Sequence, residues 1–287
     1  MLSRRTLLAG SACLAAGRAP AGVTAPAERL AAIERQSEGT LGVAILDAGS
    51  GAVVGHRLDE RFPLCSTHKV LSAAFVLARV DAGADRLDRR VAYGAGAVLP
   101  HSPATAPQAG RASLTMGELC AAAVTLSDNT AANLLLDSFG GPAALTAHLR
   151  RLGDGVTRLD RTEPTLNEAG RDDPRDTTTP RAMAGLLRRL ALDAALTEGS
   201  RSLLQGWMTG CRTGLGKIRA GVPAGWRVGD KTGSGGGDRH ASNDVAVIWR
   251  PDGRAPLVVA AYTVDMPGDD AGRDAILAAV GRLAATL

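Results

Sequence analysis

Two kinds of apolar pattern divide the chain. Short, largely apolar runs lie near both ends: residues 41–47 (LGVAILD), 52–58 (AVVGHRL), 226–232 (WRVGDKT), 244–249 (DVAVIW) and 256–264 (PLVVAAYTV). Runs of this length between turn residues predict strands. The GSG at 49–51 predicts a hairpin turn between the first two. Residues 66–208 instead repeat apolar positions mostly at helical spacing. Residues 70–80 (VLSAAFVLARV) are apolar on nearly every side, which predicts a buried helix. Residues 114–126 open with Thr115 and Glu118, a capping box. Residues 129–139 run into Gly140, Gly141 and Pro142, a stop signal, and 180–192 carry another apolar stripe. Helices are also predicted over 27–36 and 271–287, the latter with Asp269 and Asp270 near its positive end.

This order predicts an α/β fold of the α+β type. An antiparallel sheet flanked by the N- and C-terminal helices would take residues 28–65 and 209–287. An inserted all-helical lobe would take 66–208. The active site is expected in the cleft between the lobes. No internal repeat or long low-complexity linker interrupts the pattern.

Composition changes this picture in two places. The chain has 287 residues, 45% hydrophobic and 22% charged, which suits a soluble globular protein. Only Lys69, Lys217 and Lys231 of the 33 basic residues are lysine, so each lysine is informative. The N-terminus, MLSRRTLLAGSACLAAG, has a basic start and an apolar run too short to span a membrane. That is an export-signal layout, with Arg4 and Arg5 suggesting the twin-arginine route. Cleavage after Ala25-Pro26-Ala27 would remove residues 1–27 and leave a periplasmic or secreted chain. Gly10, where a lipobox wants leucine, argues against lipid attachment at Cys13. The +4 charge falls to +1 once the three arginines of residues 1–27 are removed, and aromatics are only 3%. Nucleic acid is therefore not an expected partner. Cys65, Cys120 and Cys211 remain, an odd number, so at least one thiol is free. No cluster has metal-ligand spacing, and no cofactor or metal is expected.

The chemistry gathers in three segments. Ser66 and Lys69 lie three apart, which on a helix would bring hydroxyl and amine together. A serine needs a base to become a nucleophile, and a helix N-terminus suits a developing oxyanion. Ser127-Asp128-Asn129 falls between two helical runs, where side chains can point into a cleft or merely cap a helix. Lys231-Thr232-Gly233 ends a predicted strand, with a cation, a hydroxyl and a glycine against which a ligand could lie. Each segment alone is a weak signal. Together they occur in order and take in two of only three lysines.

The order SxxK, SDN, KTG is that of class A β-lactamases and penicillin-binding proteins. The chain most resembles the class A serine β-lactamases, across its whole mature length. LCAAAVTLSDNTAANLLL, GDKTGSGG and Glu163 to Asn167, EPTLN, resemble the corresponding family segments. The resemblance implies a small-molecule β-lactam substrate, penicillins and cephalosporins, hydrolysed through an acyl-enzyme, and a monomer without a membrane span. It implies Ser66 as nucleophile, Lys69 as its activator, and Ser127 with Lys231 as proton donor to the leaving nitrogen. Glu163 and Asn167 would hold the deacylating water. The N–H groups of Ser66 and Ser234 would form the oxyanion hole, Asn129 would hold the side-chain amide, and Thr232 and Ser234 would meet the substrate carboxylate. Either Lys69 or Glu163 could take the serine proton. Residues 161–176 are expected to form an Ω-loop closed by Arg161 and Asp176, with a cis bond before Pro164.

Departures from the family pattern sharpen the reading. Ala73 faces Cys120 in place of a paired cysteine, and Gly235 stands where carbapenem-hydrolysing relatives pair a second cysteine with the one at Cys65. Both bridges should be absent, which argues against a dedicated carbapenemase. His68 replaces a frequent Phe and is read as packing. His101 falls where many relatives carry an aromatic gate, and is read as a gate or as a surface histidine. The turn after KTG is about two residues longer than usual, and Ser242 replaces a frequent arginine. The missing cation would come from Arg273, or failing that Lys217 or Arg219. The rival readings are a DD-peptidase, which would have no use for EPTLN, and a β-lactam-sensing receptor domain, which would sit behind membrane spans.

Overall fold

Period-two alternation decides the layering. In the computed structural model, which describes residues 25–110, 113–168, 170–235 and 237–287, five strands form one antiparallel sheet. They are β1 (Thr40–Asp47), β2 (Val53–His56), β3 (Arg227–Gly235), β4 (Ala241–Trp249) and β5 (Leu257–Val264). The sheet order is β2-β1-β5-β4-β3. The register from Thr40↔Val264 to Asp47↔Leu257 joins the first strand to the last, so both ends of the chain build one sheet.

Nine helices among the described residues cover the two faces: α1 (Pro26–Ser37), α2 (His68–Asp81), α3 (Met116–Thr125), α4 (Asn129–Phe139), α5 (Gly141–Arg151), α6 (Pro180–Ala191), α7 (Glu198–Thr209), α8 (Ile218–Gly221) and α9 (Asp270–Ala284). Val43, Ile45, Ala246 and Ile248 pack with Leu30 of α1 and Leu277 and Val280 of α9. Their strand neighbours Ala44, Leu46, Val245 and Val247 point the other way, into the core of α2, α3, α4 and α6. Helix α2 is buried from His68 to Leu77, as its all-round apolar sequence predicts. The capping box of Thr115 and Glu118 is formed.

Several elements differ from the sequence reading. The stop at Gly140 is real, with φ +100, but α5 starts at the next residue and uses Pro142 in its first turn. The helix α1 begins at Pro26, two residues before the expected mature start, while residues 1–24 of the leader lie outside the described residues. The segment ahead of Ser66 pairs Phe62 with Thr178 and Pro63 with Thr177, a two-residue strand pairing with no sequence signal. No helix among the described residues is long and apolar enough to cross a membrane.

Candidate active site

Ser66 lies in a 3₁₀ turn, Cys65–Thr67, that leads into α2. The turn is built tightly: Cys65 has φ +44, and Thr67 Oγ1 donates to Leu64 O at 2.6 Å. Strand β3 presses on it. A Cβ on Gly233 would lie 3.0 Å from Leu64 O and 3.2 Å from Cys65 Cβ. The bare Cα makes room for the serine's own turn.

Ser66, in the turn just before α2, and Lys69, in the first turn of α2, converge on one carboxylate oxygen. No hydrogen bond joins them. Instead Ser66 Oγ donates to Glu163 Oε1 at 3.4 Å, and Lys69 Nζ lies 2.9 Å from the same oxygen. Lys69 Nζ also donates to Asn129 Oδ1 at 2.6 Å and Ser127 O at 2.8 Å, and reaches Ser127 Oγ at 3.4 Å. Four oxygens surround one fully buried ammonium. Burial lowers its pKa, while the Glu163 carboxylate pulls the other way.

The SDN segment does both jobs the sequence allowed. Asp128 caps α4, taking Ala131 N at 2.8 Å, and also takes Ala104 N and Thr105 N. Held this way, Ser127 adopts φ +58 and turns its hydroxyl inward. Lys231 Nζ donates to Ser127 Oγ at 3.0 Å from the opposite side. Lys231 is fully buried on β3, and burial lowers it to about 8. Thr232 Oγ1 meets Thr213 Oγ1 at 2.5 Å. Ser66, His101, Ser127, Asn129, Asn167, Thr213, Lys217, Thr232 and Ser234 line one cleft.

The loop 161–176 delivers Glu163 from the far side. Asp176 takes Arg161 Nε at 2.6 Å and Asp160 N at 2.7 Å, so the expected neck is formed. The Glu163–Pro164 bond is cis. Asn167 Nδ2 donates to Glu163 Oε2 at 2.6 Å, one turn away in the loop. Asn133 of α4 grips the Glu163 backbone twice: its Oδ1 accepts Glu163 N and its Nδ2 donates to Glu163 O, both at 2.9 Å. Sequence reasoning missed Asn133. The available signal was a second amide one turn after Asn129 on an otherwise apolar helix. Burial alone would raise the Glu163 carboxyl, but the His68 ring and Lys69 ammonium hold it below the usual carboxylate range.

Arg273, the expected cation, is not among the residues that line the cleft. Arg273 donates to Gly268 O at 2.6 Å and Asp270 at 2.8 Å, outside the cleft. Arg219 is committed to Asp230 and to the carbonyls of Met208 and Thr209. Lys217 lines the cleft, held by Ser242 Oγ at 2.6 Å and by Asp274. Ser242 thus replaces an arginine and receives a lysine from another element. His101 stands at the cleft with φ +56, its Nε2 near Leu126 O. His68 is fully buried, and its Nε2 lies 3.7 Å from Glu163 Oε1. Cys65, Cys120 and Cys211 are all free and buried. A Cβ on Gly235 would come within 2.9 Å of Asn167 Cβ, so a larger residue there would crowd the loop.

Residues 25–286 match the model of the β-lactamase enzyme family. The chain is 46% identical to β-lactamase L2 of Stenotrophomonas maltophilia, over 97% of this chain and 91% of that protein. It is 48% identical to the carbapenem-hydrolyzing β-lactamase KPC of Klebsiella oxytoca, over 90% of this chain and 87% of that protein. An ancestral class A β-lactamase superposes with a TM-score of 0.87 at 57% identity, covering 90% of this chain and 98% of that one. The putative class A β-lactamase PenP from Rhodopseudomonas palustris gives 0.88 at 53%, covering 91% and 99%. The chain belongs to the β-lactamase enzyme family, and within it to the class A serine β-lactamases.

Proposed function

We propose that the chain hydrolyses penicillins and cephalosporins through an ester on Ser66, with Glu163 as the base in both half-reactions. The observation that carries this is the shared oxygen: Ser66 Oγ and Lys69 Nζ both reach Glu163 Oε1. Four oxygens around Lys69 Nζ suit an ammonium, which has three protons to donate and no lone pair to accept with. Glu163 therefore takes the Ser66 proton as Oγ bonds the lactam carbonyl carbon. The N–H groups of Ser66 and Ser234 hold the oxyanion. As the C–N bond breaks, Ser127 gives its proton to the nitrogen. Lys69 spans Glu163 and Ser127 and returns the proton between them. Glu163 and Asn167 then hold a water; Glu163 takes its proton as the water oxygen bonds the ester carbon, and returns that proton to Ser66 Oγ as the ester C–O bond breaks.

Lys217 is the cation for the substrate carboxylate, with Thr232 and Ser234 beside it, and Asn129 holds the side-chain amide. Carbapenems are left out, since Gly235 offers Cys65 no partner. Export by the twin-arginine route rests on the leader alone. A monomer is supported by the surface, where only Leu203 and Leu215 are exposed large hydrophobics among the described residues. The loop that brings Glu163 to Ser66 favours a hydrolase over a DD-peptidase or receptor.

The test is Glu163→Ala with benzylpenicillin. A positioned base contributes about 10²–10⁴ in rate. Both half-reactions should slow, deacylation more, so that a covalent adduct with the mass of the whole drug builds up slowly on the peptide containing CSTHKV. Wild-type turnover without an adduct would contradict the reading.

A further inference from the structure

His68 is the second residue after the nucleophile and the first of α2. Its side chain is fully buried. Nδ1 lies 3.3 Å from Ser72 Oγ, one helical turn on. Nε2 has no hydrogen-bond partner among the described residues, and it lies 3.7 Å from Glu163 Oε1. A buried ring nitrogen without a partner is costly, so its place beside the carboxylate asks for a reason.

The tautomer follows from the neighbours. Ser72 Oγ has no other acceptor among the described residues, so its proton goes to Nδ1. Nε2 then carries the ring proton and faces Glu163. The ring stays neutral. Burial disfavours the imidazolium, Glu163 favours it, and Lys69 and Lys231 oppose it. A 3.7 Å gap exceeds hydrogen-bond length, yet catalytic contacts are often long before substrate binds.

We propose that His68, fixed by Ser72 as the Nε2–H tautomer, is a positioning residue that holds Glu163 Oε1 and so aims the carboxylate during turnover. Lys69 and Ser66 leave this oxygen during the proton transfers, and a neutral donor keeps it in place without adding charge. The pair of oxygens is thereby divided: His68 fixes Oε1 and Asn167 fixes Oε2. This rests on Glu163 as the base, which the adduct experiment above tests separately.

The test compares His68→Phe, which keeps an aromatic ring, with His68→Gln, which keeps an N–H donor. Loss of the donor removes a group that favours ionised Glu163, so the acid limb of kcat for benzylpenicillin should move to higher pH. The expected shift in His68→Phe is at least about half a pH unit, a roughly threefold change in proton affinity, with His68→Gln restoring most of it. An unmoved limb in His68→Phe, or equal shifts in both variants, overturns the proposal. Nitrogen NMR of the histidine-labelled wild-type protein guards against variants that fail to fold. His68 should be the neutral Nε2–H tautomer at pH 7. An Nδ1–H tautomer or an imidazolium overturns it, whatever Glu163→Ala shows.

Discussion

Lys69 Nζ lies 2.9 Å from Glu163 Oε1, and neither side chain has any exposed surface. Removing one partner of such a pair strands the other charge and typically costs about 3–5 kcal/mol. Lys69→Ala should therefore lower the melting temperature by on the order of 10 °C for a chain this size. Adding Glu163→Ala removes the stranded carboxylate and should recover much of the loss. A double variant less stable than Lys69→Ala, in the same thermal melt, would show that the pair does not hold this part of the fold.

Ser66→Ala should abolish turnover and leave the fold intact. The hydroxyl contributes one 3.4 Å hydrogen bond to the structure, so its loss is small for stability. Loss of a nucleophile typically costs several orders of magnitude in rate. A variant that keeps a tenth of the wild-type rate of benzylpenicillin hydrolysis, at unchanged circular dichroism, means that another group attacks the lactam.

Lys217→Ala should raise KM for benzylpenicillin much more than it lowers kcat. A carboxylate grip acts in the ground state and transition state alike, and such uniform binding appears in KM. Arg273→Ala should leave KM unchanged, because Arg273 is tied to Gly268 O and Asp270 away from the cleft. The opposite pattern would return the role to Arg273.

The pH profile should be broad, with limbs set by Glu163 and Lys231. Glu163 is held below the usual range, so it stays a base below about pH 4.3, where a free Glu takes its proton. The acid limb of kcat/KM should therefore lie below that pH. The same carboxylate adds stability above about pH 4.3 that is lost as pH falls. Lys231, lowered to about 8, should give the alkaline limb as its proton leaves. Its lowered pKa means that stability from this group rises from pH 8 towards about 10.4, so activity falls there without unfolding. Rates and melts at the same pH values check both signs. An acid limb centred above about pH 5 contradicts the assignment of Glu163.

The sequence alone determined most of the elements and nearly all of the chemistry. Strand and helix runs are local patterns, and Ser66, Lys69, Ser127, Glu163 and Lys231 sit in short motifs readable without coordinates. The layering was also legible, because alternate residues such as Val43 and Ala44 must face opposite sides of a strand. Tertiary structure decided what each group touches. Helical spacing paired Ser66 with Lys69, but only the fold shows that both reach Glu163, a residue about a hundred positions away. The surroundings of the candidate cations were out of reach for a similar reason. Arginine content named candidates, while only packing shows that Asp230 holds Arg219, that Asp270 holds Arg273, and that Lys217 meets Ser242 across the sheet edge. Asn133 and His68 carried no motif because their partners come from a loop thirty residues or more distant. Periodicity reports which side of an element is buried. It holds no record of which distant segment lies against that side, and that contact is what tunes a buried carboxylate.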